Sequence, residues 1–189
     1  MGVRIEAVTE VDWERWRELR LRMLTDTPTA FGETAEHARG QDEAQWRERV
    51  RRTSAPGHLA RVAVDEATGA WVGTMSARTT PGEGLFLVAV FVDASVRGGG
   101  VAAALLRAVL AWAGEQPGAD ALRLHVHEDN LRAQAFYRRH GFVDTGVRVP
   151  HRLDPTRQEL EMVAPLGTGG AGTPTGPVPG SSDPGAHPV

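Results

Sequence analysis

LFLVAVFVDASVRGGGVAAALL, residues 85–106, joins an apolar run, a glycine turn and a second apolar run. The first run, Leu85 to Val92, is apolar at every position, which suits a central strand covered on both faces. Asp93-Ala94-Ser95 leads into Arg97-Gly98-Gly99-Gly100, and a helical pattern starts at Val101. A strand that feeds a glycine turn into a helix start forms an anion site. The first helical N–H groups lack an intrahelical partner, and the helix dipole puts partial positive charge there. Glycine lets the backbone approach a ligand with no Cβ in the way. The expected guest is a phosphate group, most naturally a pyrophosphate.

The chain has 189 residues, enough for one domain with a substantial core. Its 41% hydrophobic and 24% charged residues describe an ordinary globular protein. No apolar run reaches the ~18 residues of a membrane span, and MGVRIEAVTEVDW lacks the apolar segment of a signal peptide. The expectation is a cytoplasmic protein without membrane association. Cysteine is absent, which excludes disulfides, thiolate metal sites and cysteine nucleophiles. The histidines have no convincing metal-ligand spacing, so no metal is expected. The formal net charge of −3 gives no basic face for nucleic acid. All 21 basic residues are arginine, so no lysine can form a Schiff base or serve a P-loop.

Working outward, Val3 to Val8 reads as a first strand. Trp13, Trp16, Leu19 and Met23 form an amphipathic stripe, a core face, with Thr9 or Asp12 as cap. Pro28 and Gly32 punctuate a turn. A polar helix follows from Asp42 to Arg52, then strands from His58 to Val64 and Ala70 to Ala77, with Asp65–Gly69 as hairpin loop. Val101 to Trp112 reads as a buried helix. Leu122, Leu124 and Val126 alternate with Arg123, His125 and His127, a strand with two unlike faces. Asn130 caps a helix striped by Ala133, Phe136, Tyr137 and His140 and stopped by Gly141. Phe142 to Val149 and Gln158 to Val163 complete the strands. The division is a domain of residues 1–166 and a tail of residues 167–189. About half of the tail is glycine and proline, so it is expected to be disordered.

These elements and motifs resemble the GNAT-type N-acetyltransferase superfamily, which uses acetyl-CoA. Its phosphate motif is Arg or Gln, two residues, Gly, one residue, then Gly or Ala. Arg97-Gly98-Gly99-Gly100-Val101-Ala102 matches it in full. Its later segment is matched by Asn130, Ala133, Phe136, Tyr137, Arg138, Arg139, Gly141 and Phe142. The resemblance spans roughly residues 3 to 165. It implies one α/β domain with a mixed, largely antiparallel sheet and helices on both faces.

The same resemblance implies direct acetyl transfer from acetyl-CoA to a primary amine, on a small molecule or on a peptide or protein. Backbone N–H groups from Arg97 through Gly98, Gly99, Gly100 and Val101 to Ala102 would hold the pyrophosphate, with the Arg97 side chain on a phosphate. The strand edge at Val90, Phe91 and Val92 would pair with the pantetheine amides where two strands splay, and one of its N–H groups would polarise the thioester carbonyl. Asn130 is implied as a cofactor contact as well as a cap. Tyr137, the only tyrosine, would give its proton to the departing CoA thiolate. Many relatives carry a glutamate base ahead of the phosphate turn, whereas Leu87-Val88-Ala89-Val90 has no acid there. Glu83, His125, His127, Glu128 and Glu33 are the remaining candidates, and the residues do not choose among them. The missing acid also keeps open a non-catalytic domain that senses acetyl-CoA. The segment from Pro28 to Thr34 and the loop around His151 border the acceptor pocket in the family. Monomer and homodimer both stay open.

Overall fold

The computed structural model describes residues 2–167. Seven strands form one sheet: β1 (Val3–Ala7), β2 (His58–Asp65), β3 (Trp71–Thr80), β4 (Gly84–Val92), β5 (Ala121–His127), β6 (Val143–Pro150) and β7 (Gln158–Pro165). Five helices accompany them: α1 (Trp13–Asp26), α2 (Ala35–Arg39), α3 (Glu43–Arg52), α4 (Val101–Gly114) and α5 (Leu131–Arg139). The strand order is β1-β2-β3-β4-β5-β7-β6, antiparallel throughout except for the parallel pair β4–β5. The mixed, largely antiparallel sheet with helices on both faces is the architecture that the sequence led us to expect. The glycine- and proline-rich tail expected at the C-terminus lies, from residue 168 on, outside the described residues. Among the described residues no helix is long and apolar enough to cross a membrane.

Two cores lie on the two faces. Leu105, Leu106 and Val109 of α4 pack with Leu122, Leu124, Met162, Tyr137 and Phe142. On the other face Leu19 and Met23 of α1 meet Trp46 and Val50 of α3 over Val62 and Val64. The tryptophan stripe of α1 does serve this core, since Trp16 is buried. Caps mark the starts that the sequence suggested. Asp42 Oδ1 accepts the Gln45 N–H at 2.8 Å, and Asn130 Oδ1 accepts the Ala133 N–H at 3.1 Å. The short helix α2 falls between the turn at Pro28–Gly32 and the helix from Asp42, where the sequence reading named no element. Its Thr34 cap accepts the His37 N–H at 3.1 Å, but five residues are too few to show a helical period.

Two irregularities in β4 open the sheet. Its parallel pairing with β5 covers only Leu85 with Leu122 and Phe86 with Arg123. Its register against β3 then shifts: Thr74 pairs with Phe91 but Ser76 with Val88, so β4 carries one extra residue. Ala89 sits in that bulge with φ of 51°, in the left-handed region that costs a non-glycine residue about 1 kcal/mol. Val88, Ala89 and Val90 are consequently half-buried, although the sequence suggested a strand covered on both faces.

Glu33 ties α1 to α3. Arg20 of α1 donates to its Oε2 through Nε at 3.1 Å and Nη2 at 2.9 Å. Arg49 of α3 donates through Nη1 at 2.9 Å and Nη2 at 2.7 Å. Burial pulls the Glu33 carboxyl upward, but the hydrogen bonds from Arg49 and Arg20 outweigh it and hold the group below the usual carboxylate range. A depressed folded value adds stability above the unfolded glutamate value of about 4.3, and that stability fades as pH falls through the folded one. Glu33→Gln should therefore cost about 2 kcal/mol at neutral pH, with the gap to wild type closing in urea titrations run from about pH 5 to about pH 2. Trp46→Ala, which empties a fully buried site, should cost about 3–5 kcal/mol by the same measurement.

Candidate active site

The separation of β4 and β5 creates a cleft of about 480 Å³. One wall is β4 from Leu87 to Val92, and the other is His125, Val126 and His127 of β5. The glycine turn and the start of α4 close one end, with Asn130, Ala133, Phe136 and Tyr137 from the α5 segment beside them. Thr27, Ala30 and Phe31, between α1 and α2, reach in from the opposite face of the sheet. Tyr137 and every residue that the sequence singled out for the cofactor line this cleft except Gly99, which lies within the same turn.

The turn is built to leave amides free. Gly98 and Gly100 have φ of 83° and 82°, a conformation that L side chains rarely adopt. The first amide that returns to the α4 backbone is Ala104 N–H, 3.0 Å from Gly100 O. The amides of Gly98, Gly100, Val101, Ala102 and Ala103 therefore have no backbone acceptor among the described residues. Those of Arg97 and Gly99 are used locally, on Ala94 O at 3.4 Å and Val96 O at 3.3 Å. Five open amides at a helix N-terminus are a fitting cradle for a diphosphate.

The Arg97 side chain is placed differently from the amides. Its Nε donates to Val92 O at 2.9 Å, and its Nη2 bonds the Asp26 carboxylate at the end of α1. The guanidinium thus ties the turn to both β4 and α1. Asp26 was not foreseen as its partner, since nothing in the sequence links two residues so far apart. The Thr27 hydroxyl bonds the same carboxylate at 2.7 Å; this bond is the main cause of the lowered Asp26 value, and Arg97 reinforces it.

Tyr137 is buried on α5 and packs against Phe136 and Phe142, each with ring centroids 5.5 Å away. Burial pushes its phenol well above the usual value, and no hydrogen bond contributes. The ring is therefore protonated at any pH near neutrality.

Of the five candidate bases, the structure brings two to the cleft. His125 and His127 line it. Glu33 is held by two arginines, as described above. Glu128 Oε1 accepts from Gln158 N–H at 3.1 Å and lies 3.2 Å from Arg157 Nε. Glu83 is exposed in the β3–β4 turn, outside the cleft. The loop around His151 does approach: its ring sits edge-on to His127, with centroids 5.3 Å apart. Among the described residues no cluster of His, Asp or Glu could hold a metal ion.

The Acetyltransferase (GNAT) family sequence profile matches residues 12–142, more than half of the chain. No curated protein matches the sequence. Among solved structures, a GNAT-family acetyltransferase from Streptococcus pneumoniae superposes with a TM-score of 0.75 at 16% identity, covering 88% of this chain and all of that one. A GCN5-related N-acetyltransferase from Kribbella flavida gives 0.68 at 23% identity, covering 87% of this chain and 98% of that one. Spermidine N-acetyltransferase from Vibrio cholerae, in complex with CoA and spermine, gives 0.69 at 14% identity, covering 88% and 96%. Such low identities speak for the fold, while the profile match speaks for descent. The chain belongs to the GNAT acetyltransferase family.

Proposed function

We propose that this acetyltransferase moves the acetyl group of acetyl-CoA directly to a primary amine, with Tyr137 as the general acid. The observation that carries this reading is the meeting, in one cleft, of the open amides after Arg97 and the lone protonated phenol. The spermidine N-acetyltransferase from Vibrio cholerae, in complex with CoA and spermine, supports an amine acceptor for the same fold.

Acetyl-CoA, when bound, supplies an activated thioester. The chain's part is to hold and to move protons. The amides of Gly98, Gly100, Val101, Ala102 and Ala103 hold the diphosphate, and Asn130 borders it. Beyond Phe86 the β4 edge at Val90, Phe91 and Val92 has no ladder partner on the β5 side; Val92 O is taken by Arg97 Nε, and the remaining groups on that edge are left for the pantetheine amides. An N–H on that edge polarises the carbonyl. The amine attacks, the carbon–sulfur bond breaks, and the thiolate takes the Tyr137 proton. No covalent enzyme intermediate is needed, in keeping with the absence of cysteine.

Tyr137→Phe should lower kcat by about 100-fold or more, with acetyl-CoA affinity by isothermal titration unchanged. Turnover equal to wild type at all pH values would remove Tyr137 from the mechanism. Because the folded phenol value is raised, the native state should also lose stability as pH climbs above the unfolded value of about 10, and Tyr137→Phe should flatten that loss. Gly100→Val forces a β-branched residue to a φ of 82° and should weaken acetyl-CoA binding by about 10-fold or more. Tight acetyl-CoA binding with no thiol release from any amine would favour the sensor reading instead.

A further inference from the structure

Strand β4 lacks an acid, and the ionisable groups gather on the opposite wall of the cleft. Alternation along β5 sends Leu122, Leu124 and Val126 into the α4 core and leaves Arg123, His125 and His127 on the other face. Register on β7 sets Glu161 opposite His125 and Glu159 opposite His127. The Glu161 carboxylate is divided between two neighbours: Oε1 accepts from Arg123 Nη1 at 3.3 Å, and Oε2 lies 3.8 Å from His125 Nε2.

We propose that His125 is the general base that deprotonates the acceptor amine, with Glu161 as its positioning residue. The proposal rests on the acetyltransferase reading above. Three histidines share this region, and two are unsuited. His127 Nδ1 already accepts the Asp129 N–H at 3.2 Å, so its neutral ring carries the proton on Nε2 and presents a donor rather than a lone pair. His151 is buried with both ring nitrogens unpartnered, its Nε2 4.0 Å from Glu159, and it does not line the cleft. His125 lines the cleft and is exposed, and its ring leans on Phe86 of β4 at 5.4 Å, where the two strands begin to part. With Nε2–H directed toward Glu161, Nδ1 keeps its lone pair for the amine.

The proton count closes. The acceptor arrives as an ammonium and gives up two protons on becoming an amide. One leaves through His125 to solvent. The other replaces the proton that Tyr137 gives to sulfur. The charged groups facing His125 are Glu161 from β7 and Arg123 from its own strand, with His127 next along it. Neither β4 nor the turn Pro28–Ala30 brings an ionisable side chain to it.

The test compares amines that do and do not need a base. Full-length protein is assayed for CoA release with an alkylamine panel headed by benzylamine, cations at neutral pH, and with aniline, which is neutral there. His125→Gln should lower kcat/KM for alkylamines by about 100-fold at neutral pH and leave a rate that simply follows the neutral fraction of the amine, while aniline changes only a few-fold. Glu161→Gln removes the carboxylate behind the His125 ring, so kcat for alkylamines should fall about 10-fold with KM little changed and aniline spared, and Glu161→Asp should restore part of that loss. Isothermal titration should show acetyl-CoA binding unaltered in all three variants. Equal losses with both amine classes, or alkylamine turnover in His125→Gln equal to wild type, would overturn the assignment of His125, and an alkylamine kcat unchanged in Glu161→Gln would overturn the positioning role. Wild-type protein that binds acetyl-CoA yet acetylates no amine would overturn the acetyltransferase reading itself, which is a separate result.

Discussion

The pairing of β4 with β5 stops after two residues, and the rest of the molecule is arranged around that interruption. A parallel pair that continued would satisfy its peptide groups internally and leave no cleft. Here the antiparallel neighbours β3 and β7 hold the two strands from outside, so β4 and β5 can part without the sheet coming undone. The bulge at Ala89 turns the freed half of β4, and its left-handed φ is a strain that the surrounding sheet sustains. The cleft is thus a property of the sheet itself, and the helices decorate it.

Much of this could be read in advance. The apolar run, the three consecutive glycines and the apolar helix gave β4, the turn and α4 because each has a strong local signature. Asn130 and Gly141 bracketed α5 for the same reason. The position of Tyr137 came from family register, since a lone tyrosine on a helix says nothing of its surroundings. The bulge was illegible: a run that is apolar at every position has no alternation to slip, so a register shift inside it leaves no mark. Helix α2 was too short to announce itself.

Long-range partnerships were illegible for another reason. Arg97 with Asp26, and His125 with Glu161, are brought together by topology alone. One sequence offers many arginines and carboxylates, and only the strand order selects the pairs. The five candidate bases illustrate the point, since spacing could not rank them. Their surroundings in the fold differ: Glu33 and Glu128 are paired with arginine, Glu83 stands outside the cleft, His127 accepts a peptide N–H, and His125 lines the cleft beside Glu161.

The Arg97 guanidinium has one hand on the β4 carbonyl of Val92 and the other on the last residue of α1. Immediately beyond that residue come Thr27, Ala30 and Phe31, the far border of the cleft. The cradle at one end and the border at the other are therefore coupled through a single planar cation. The glycine turn and the segment after α1 thus share one anchor, and losing that cation would leave each without its tie to the other.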